Sequence, residues 1–268
     1  TKSKQWIVAS PAPPDVIHEY RGINSVIAQI LYNRGFTSPS EADEFLQVTD
    51  ELINPFEMKG MNEAVRRIRL AIRRKELIIV YGDFDADGVT STALMMQTLT
   101  ALGAVAKPYI PHRVDEGYGV NSQALIRLAH EGAKLIITVD CGIRSVSEIE
   151  DGIAEGLDII VTDHHSIGPE IPQTIAVLNP KQVDCNYPED MLAGVGVAFK
   201  LADALLRVSA VQDRQQLNLQ LEDLLDLVAI GTVADLAPLD RLENRLLVQR
   251  GLAVLNRAQR PGLWCLPN

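Results

Sequence analysis

The sequence predicts an α/β fold: a parallel five-stranded sheet flanked by helices, with a helical segment before it and more helices after it. Three observations carry this. Short β-branched runs alternate with helical stretches between residues 77 and 178, the pattern of βαβ units and a parallel sheet. Runs such as LIITV (135–139) and LDIIV (157–161) are almost continuously apolar, as strands covered on both faces must be. Asp or His follows directly on three of the runs, at the strand ends where open parallel sheets bind ligands.

Each element has its own signal. Residues 1–20, with Pro11, Pro13 and Pro14, read as an irregular arm. Helical spacing follows over 22–33, 39–47 and 61–75. In the third helix Val65, Ile68 and Ile72 share a core-facing stripe, with Arg66, Arg69 and Arg73 beside it. Strands are expected at Leu77–Tyr81, Val105–Ile110, Leu135–Val139, Leu157–Thr162 and Ile175–Leu178, with helices at 89–102, 121–131 and 145–155 between them. Three helices, 192–209, 219–235 and 241–257, close the pattern. The expected division is an N-terminal arm and helices packed on the core (1–75), an α/β domain (76–258) and the start of a linker (259–268). The chain begins at Thr1 without methionine and stops at Asn268, which reads as a fragment of a longer polypeptide.

Composition narrows the class. Of 268 residues 47% are hydrophobic, enough for a sizeable core. Cys141, Cys185 and Cys265 show no CxxC spacing, which argues against structural zinc or a disulfide framework and for a reducing, cytoplasmic setting. No apolar run approaches the ~18 residues of a membrane span, and no signal peptide is present. The net charge of −10 is a poor prior for nucleic-acid binding. It is unevenly spread, because residues 1–75 hold 11 basic against 9 acidic side chains and the remainder carries −12.

The acids fall in a pattern. Asp83, Asp85 and Asp87 follow the first strand in VYGDFDADGV, Asp140 ends LIITVD, and Asp163, His164 and His165 end LDIIVTDHH. Carboxylates crowded at one sheet edge repel unless a cation sits among them. Oxygen-rich ligation with a few imidazoles suits Mn²⁺ or Mg²⁺. The D-x-D-x-D-G string also opens an EF-hand loop, but position 12 is Leu94 where a bidentate Glu is required, and the preceding element is a strand. Asp235, in GTVADLAPL, either caps a helix or needs a buried partner such as a metal.

The ordered set GDFDADGVTST, YIPHRVDEGYGVN, ITVDCGI, VTDHH, LNPKQVDCNYP, LAGVGVAFKLADAL and GTVADLAPL resembles the DHH phosphoesterase superfamily, and within it the RecJ-type branch of single-strand-specific 5′→3′ exonucleases, from about Trp6 to Leu263. The resemblance implies a DHH-type five-stranded parallel domain and a hydrolase with two Mn²⁺ or Mg²⁺ ions acting on single-stranded DNA in repair and recombination. It implies that Asp87, Asp140, His164 and Asp235 hold one ion. Asp85 and Asp140 hold the second, with Asp83 supporting it and Asp140 bridging. Asp163, His165 and Asp140 form the catalytic group, His165 facing the scissile phosphate as a contact or proton relay. Single-strand-binding protein and a recombination helicase are the partners the resemblance implies. His112 and Arg144 stand where such proteins usually carry Asn and a small hydroxyl residue.

Around that site the substrate readings are these. Gly88 permits a tight strand-to-helix turn, and the helix start beside it offers N–H groups to a phosphate oxygen. Arg113 clamps a phosphate and Tyr118 stacks on a base, or PHRVDEGYG is an ordinary surface loop. Asn179 and Lys181 line the cleft. LAGVGVAFK allows close backbone approach to a phosphate or merely close packing. The run RRIRLAIRRK (66–75) is a solvated helix face, or it follows a DNA backbone. Cys141 is a small core residue. Two other functions share the core: a phosphodiesterase on short oligonucleotides or cyclic dinucleotides, and a non-catalytic replication scaffold.

Overall fold

Five strands, β1 (Leu77–Tyr81), β2 (Val105–Tyr109), β3 (Ala133–Val139), β4 (Asp158–Thr162) and β5 (Ala176–Leu178), form one parallel sheet in the order β2-β1-β3-β4-β5. The computed structural model describes residues 5, 7–20, 22–46, 51–117, 119–209, 218–257 and 260–264. β1 pairs with β2 on one side and β3 on the other, with Tyr81 opposite Tyr109 and Thr138. The chain therefore leaves β1 in one direction and returns past it. This reversal is a topological switch point, and it opens a crevice at the carboxyl ends of β1 and β3.

The near-continuous apolar strands are covered on both faces. Ile78, Val80, Leu135, Ile137 and Ile160 point into one core with Leu94, Met95 and Phe199. Ile79, Tyr81, Ile136, Ile159 and Val161 point into the other with Leu125, Leu128 and Ile149. The first core is built by helices α4 (Met61–Arg74), α5 (Ala86–Ala101), α8 (Gly194–Arg207) and α9 (Leu225–Ala234). The second is built by α6 (Ser122–His130) and α7 (Val146–Ala154). α10 (Leu242–Leu255) and the short α11 (Pro261–Trp264) follow. Among the described residues, no helix is long and apolar enough to cross a membrane.

The chain divides into two compact units between Asp50 and Glu51. α4, grouped by the sequence reading with the N-terminal helices, falls in the second unit and gives Ala64, Val65 and Ile68 to the main core. The first unit holds α1 (Pro14–Glu19), α2 (Ser25–Asn33) and α3 (Pro39–Leu46) around Tyr20, Ala28, Leu31 and Ala42. α1 falls where an irregular arm was expected. Pro14 stands in its first turn, where a fixed φ assists a helix and the missing N–H costs nothing. α11 begins within the segment expected to be linker. Its neighbour Arg260 donates to Asp226 at 2.5 Å and Gln97 at 2.8 Å.

A buried polar network fastens the main unit. Lys200, fully buried in α8, pairs with Glu243 of α10 and donates to the Ile53 carbonyl at 2.9 Å. Glu243 also accepts from the Tyr187 hydroxyl and, at 3.2 Å, from the Ile53 N–H. Burial drives the Tyr187 phenol far above its ordinary pKa.

Candidate metal centre

Three strand ends and two helix ends bring the acids together. α5 begins at Ala86, three residues before the sequence expectation, so Asp85 is its N-cap and accepts from the Gly88 N–H at 2.9 Å. Asp87 then lies in the first turn, buried, and crosses to the start of α8. Its two carboxylate oxygens accept the N–H groups of Gly194 at 2.7 Å and Val195 at 2.8 Å. Those N–H groups have no partner inside the helix, and the helix dipole favours an anion there.

Asp140 ends β3 with φ +63, a left-handed conformation that costs most side chains about 1–2 kcal/mol and is tolerated best by Asp and Asn. Its N–H donates to Thr162 of the neighbouring strand at 3.0 Å. Asp235 caps the C-terminus of α9, and the following Leu236 also has positive φ, +59. Unusual backbone at a non-glycine residue thus appears at or beside two of the clustered acids, where such strain concentrates at functional sites.

The imidazoles complete the group. His164 Nε2 lies 3.2 Å from Asp140 Oδ1 and 3.8 Å from Asp87 Oδ2, and its Nδ1 lies 3.8 Å from Asp235 Oδ2. Ligand atoms of Asp87, His164 and Asp235 lie within 4.8 Å of one another. So do those of Asp83, Asp85 and Asp140, and those of Asp140, His164 and His165. Asp140 is common to the last two sets.

These donors fit divalent cations on their own chemistry. Asp83 Oδ2, Asp140 Oδ1 and His164 Nε2 are buried without a hydrogen-bond partner among the described residues, a state that is costly unless something occupies the space between them. Burial raises the pKa of Asp87, with the Asp140 charge adding to it. Burial likewise raises Asp140, with Asp85 adding to it, and raises Asp83. Burial lowers that of His164, which keeps a neutral imidazole able to ligate.

Asp163 is different from the other acids. It accepts four hydrogen bonds: Ile143 N–H at 2.9 Å, His164 N–H at 2.7 Å, His165 N–H at 3.0 Å and His165 Nδ1 at 2.7 Å. Burial opposes its ionisation, yet the His165 hydrogen bond and charge hold its pKa below the ordinary value. In return, the Asp163 hydrogen bond raises the pKa of His165. With both oxygens accepting hydrogen bonds, Asp163 positions the two histidines, whereas Asp83 and Asp140 each keep a buried oxygen with no hydrogen-bond partner among the described residues. The His165 ring is half-exposed and borders a cavity of about 310 Å³ lined also by Gly119, Gly142, Arg144 and Ser145. A larger cavity, about 540 Å³, lies along the far half of α5 by Met96 and Thr100. No ionisable side chain lines it among the described residues, so it has no part in this chemistry.

Several substrate expectations change. The Gly88 N–H is taken by Asp85, and a Cβ there would meet Asp83 at 2.6 Å. Gly88 therefore serves packing and offers no N–H to substrate. Gly194 likewise serves packing: a Cβ would lie 2.5 Å from Asp140 Oδ1, and its N–H is already held by Asp87. Asn179 and Lys181 hold the backbone of the histidine pair, donating to the carbonyls of His165 at 3.0 Å and His164 at 2.5 Å. Arg113 is exposed and stacks on Phe84, 4.9 Å from the ring centre. Tyr118 lies outside the described residues. Cys141 is a buried free thiol whose pKa burial pushes well up. Sequence reasoning passed over Gly231, whose Cβ would meet Thr90 Oγ1 at 2.4 Å and Asp87 Oδ1 at 2.8 Å. Its place one helical turn before Asp235 was the available signal.

An α/β domain with five acids and two imidazoles gathered at its switch point is, as a class, a carboxylate-rich candidate metal protein. The chain belongs to the DHH family: the model of the "DHH family, N-terminal domain" matches residues 77–232. It is similar to the single-stranded-DNA-specific exonuclease RecJ of Bacillus subtilis, 47% identical over 97% of this chain and 32% of that protein. Among solved structures it is similar to RecJ of Thermus thermophilus in complex with Mn²⁺, with a TM-score of 0.72 and 33% identity over 98% of this chain and 36% of the other. The same protein in complex with Mg²⁺ gives a TM-score of 0.58 and 29% identity over 97% and 33%. The chain thus spans about a third of the length of these relatives.

Proposed function

We propose that this chain carries the hydrolytic site of a single-strand-specific DNA exonuclease of the RecJ kind, acting in repair and recombination. The convergence of Asp87, Asp140, His164 and Asp235 from four separate elements is the observation that carries the reading. Similarity to RecJ over nearly the whole chain supports the substrate class. Asp87, Asp140, His164 and Asp235 would hold one Mn²⁺ or Mg²⁺, and Asp83, Asp85 and Asp140 a second. When bound, the two ions supply neutralising charge for the phosphodiester and lower the pKa of water.

The chain's own groups do the rest. Asp163 fixes the His165 ring through Nδ1, and its charge favours the imidazolium. His165 therefore presents a proton on Nε2 at neutral pH, to contact the phosphate or pass to the leaving oxygen. Arg113, held on Phe84 beside the β1–α5 turn, offers its guanidinium fork to a flanking phosphate. Asp85 and Asp87 each serve twice, as helix caps and as ligands, so the acids are in place before substrate arrives.

The test is release of mononucleotides from a single-stranded oligonucleotide in Mn²⁺. Wild-type chain releases them and Asp140→Asn does not. If the wild-type chain cleaves dinucleotides or cyclic dinucleotides and leaves long single strands intact, the phosphodiesterase reading replaces this one. A scaffold role would show as no Mn²⁺ binding at all.

A further inference from the structure

We infer that the outer face of α4 is a binding track for the phosphate backbone of single-stranded nucleic acid, beyond the hydrolytic site; the choice of strand rests on the proposed function above. Arg66, Arg69 and Arg73 are all exposed and lie at i, i+3 and i+7, along one stripe opposite the buried Ala64, Ile68 and Ala71. At 1.5 Å per residue they span about 10 Å. None of the three has an ion-pair or hydrogen-bond partner among the described residues. Arg67, next to the stripe, shows what a structural arginine does in this helix: it is half-buried and pairs with Asp158 at 2.5 Å and Glu76 at 2.7 Å.

Four features argue that the stripe has an anionic ligand. Like charges three and four residues apart destabilise a helix by a few tenths of a kcal/mol per pair, and here no acid on the helix relieves them beyond Glu63 in the first turn. The helix dipole accounts for Arg73 and Arg74 in the last turn, but not for Arg66 and Arg69. The stripe also stands out against a chain of net charge −10. All three cations are arginine, whose fork of donors matches a phosphate better than lysine does.

Its position suits a strand leaving the metal centre. α4 leads into β1 through two residues and so runs antiparallel to it, placing its first turn at the sheet's carboxyl edge. Gly60, just before it, abuts Val177 and Leu178 at the end of β5. The same edge holds Asn179 and Lys181, which bond the histidine carbonyls. The helix thus starts at the edge that carries the acids, and the stripe, from its second turn onward, runs away from that edge.

The test combines Arg66→Gln, Arg69→Gln and Arg73→Gln in the full chain, with circular dichroism to check folding. Binding of fluorescein-labelled dT30 is followed by anisotropy in EDTA from 50 to 400 mM NaCl. Single strands lose about 0.7 of log–log salt slope per phosphate contact, so the slope falls by about 2 and affinity at 0.15 M salt falls roughly 50-fold. Hydrolysis of a tetranucleotide in Mn²⁺ stays at the wild-type rate. An unchanged slope and affinity for dT30 overturn the inference. So does equal loss on the tetranucleotide, or an effect seen only with an acidic polypeptide such as polyglutamate. If wild-type chain hydrolyses neither substrate, the proposed function fails, while the anisotropy comparison still decides the track.

Discussion

Gly194→Ala is the sharpest probe of how the carboxylates are held. The methyl would sit 2.5 Å from Asp140 Oδ1 and 2.7 Å from Asp140 Cβ, well inside contact distance. Neither side can easily yield. Asp140 is tied at the end of β3 by its N–H to Thr162, and the start of α8 is tied to Asp87 by two N–H bonds. If α8 withdraws, those two bonds to a charged acceptor weaken, each worth about 1.5–3 kcal/mol. If Asp140 turns away, its open oxygen leaves the cluster. Either response separates ligands, and disturbance of groups that orient ligands typically lowers metal affinity 10–100-fold. Isothermal titration with Mn²⁺ reads the change, and a melting scan in EDTA reads the destabilisation. Gly262→Ala, where a Cβ meets nothing within 4 Å, is the control and leaves both unaltered. Wild-type Mn²⁺ affinity in Gly194→Ala would refute the reasoning.

Other outcomes follow from the same contacts. With EDTA, the melting temperature falls between pH 6.5 and 8: the folded chain keeps protons on Asp140 and His165, both raised to about 9, and holds that on Asp87 until about pH 7, while the unfolded chain has lost them, at about 1.4 kcal/mol per pH unit for each proton. Saturating Mn²⁺ reverses that trend, because ligands bind deprotonated; a flat melting curve in EDTA counts against the buried acid cluster. Asp163→Asn leaves the Ile143 N–H facing an amide and removes the charge that raises His165. We expect kcat to drop by about 10²–10⁴ and the alkaline limb of its pH profile to move down, read from initial rates between pH 6 and 10. Glu243→Gln strands the buried Lys200 ammonium and costs roughly 3–5 kcal/mol in urea unfolding, far more than replacing both partners by apolar residues.

Much of this was legible before any coordinates. All five strands fall within two residues of the sequence boundaries; β1, β3 and β4 are legible because strands buried on both faces leave unbroken apolar runs, whereas the exposed edge strand β2 was placed by the alternation of strands and helices. Asp83, Asp140 and Asp163 were legible for the same reason, since each stands where such a run stops; Asp235 ends a helix instead. The start of α5 was missed by three residues because Asp85 and Asp87 look like turn residues, and their cap role appears only once Gly88 and the start of α8 come close. α1 was missed because three prolines suggested an irregular arm, although one of them starts the helix. The roles of Gly194 and Gly231 were hidden because they depend on contacts more than 50 residues away in sequence. Asp163 was grouped with His165 from the sequence, but its positioning role was hidden, because its four donors lie partly in a neighbouring loop, at Ile143.

The central claim is that acids and imidazole from separate strand and helix ends close on divalent ions. Anomalous diffraction from a Mn²⁺-soaked crystal tests it most directly. The account predicts two manganese peaks, one bounded by Asp87, His164 and Asp235 and the other by Asp83 and Asp85, with Asp140 touching both. Manganese elsewhere on the chain, or no peak among these side chains, would contradict it.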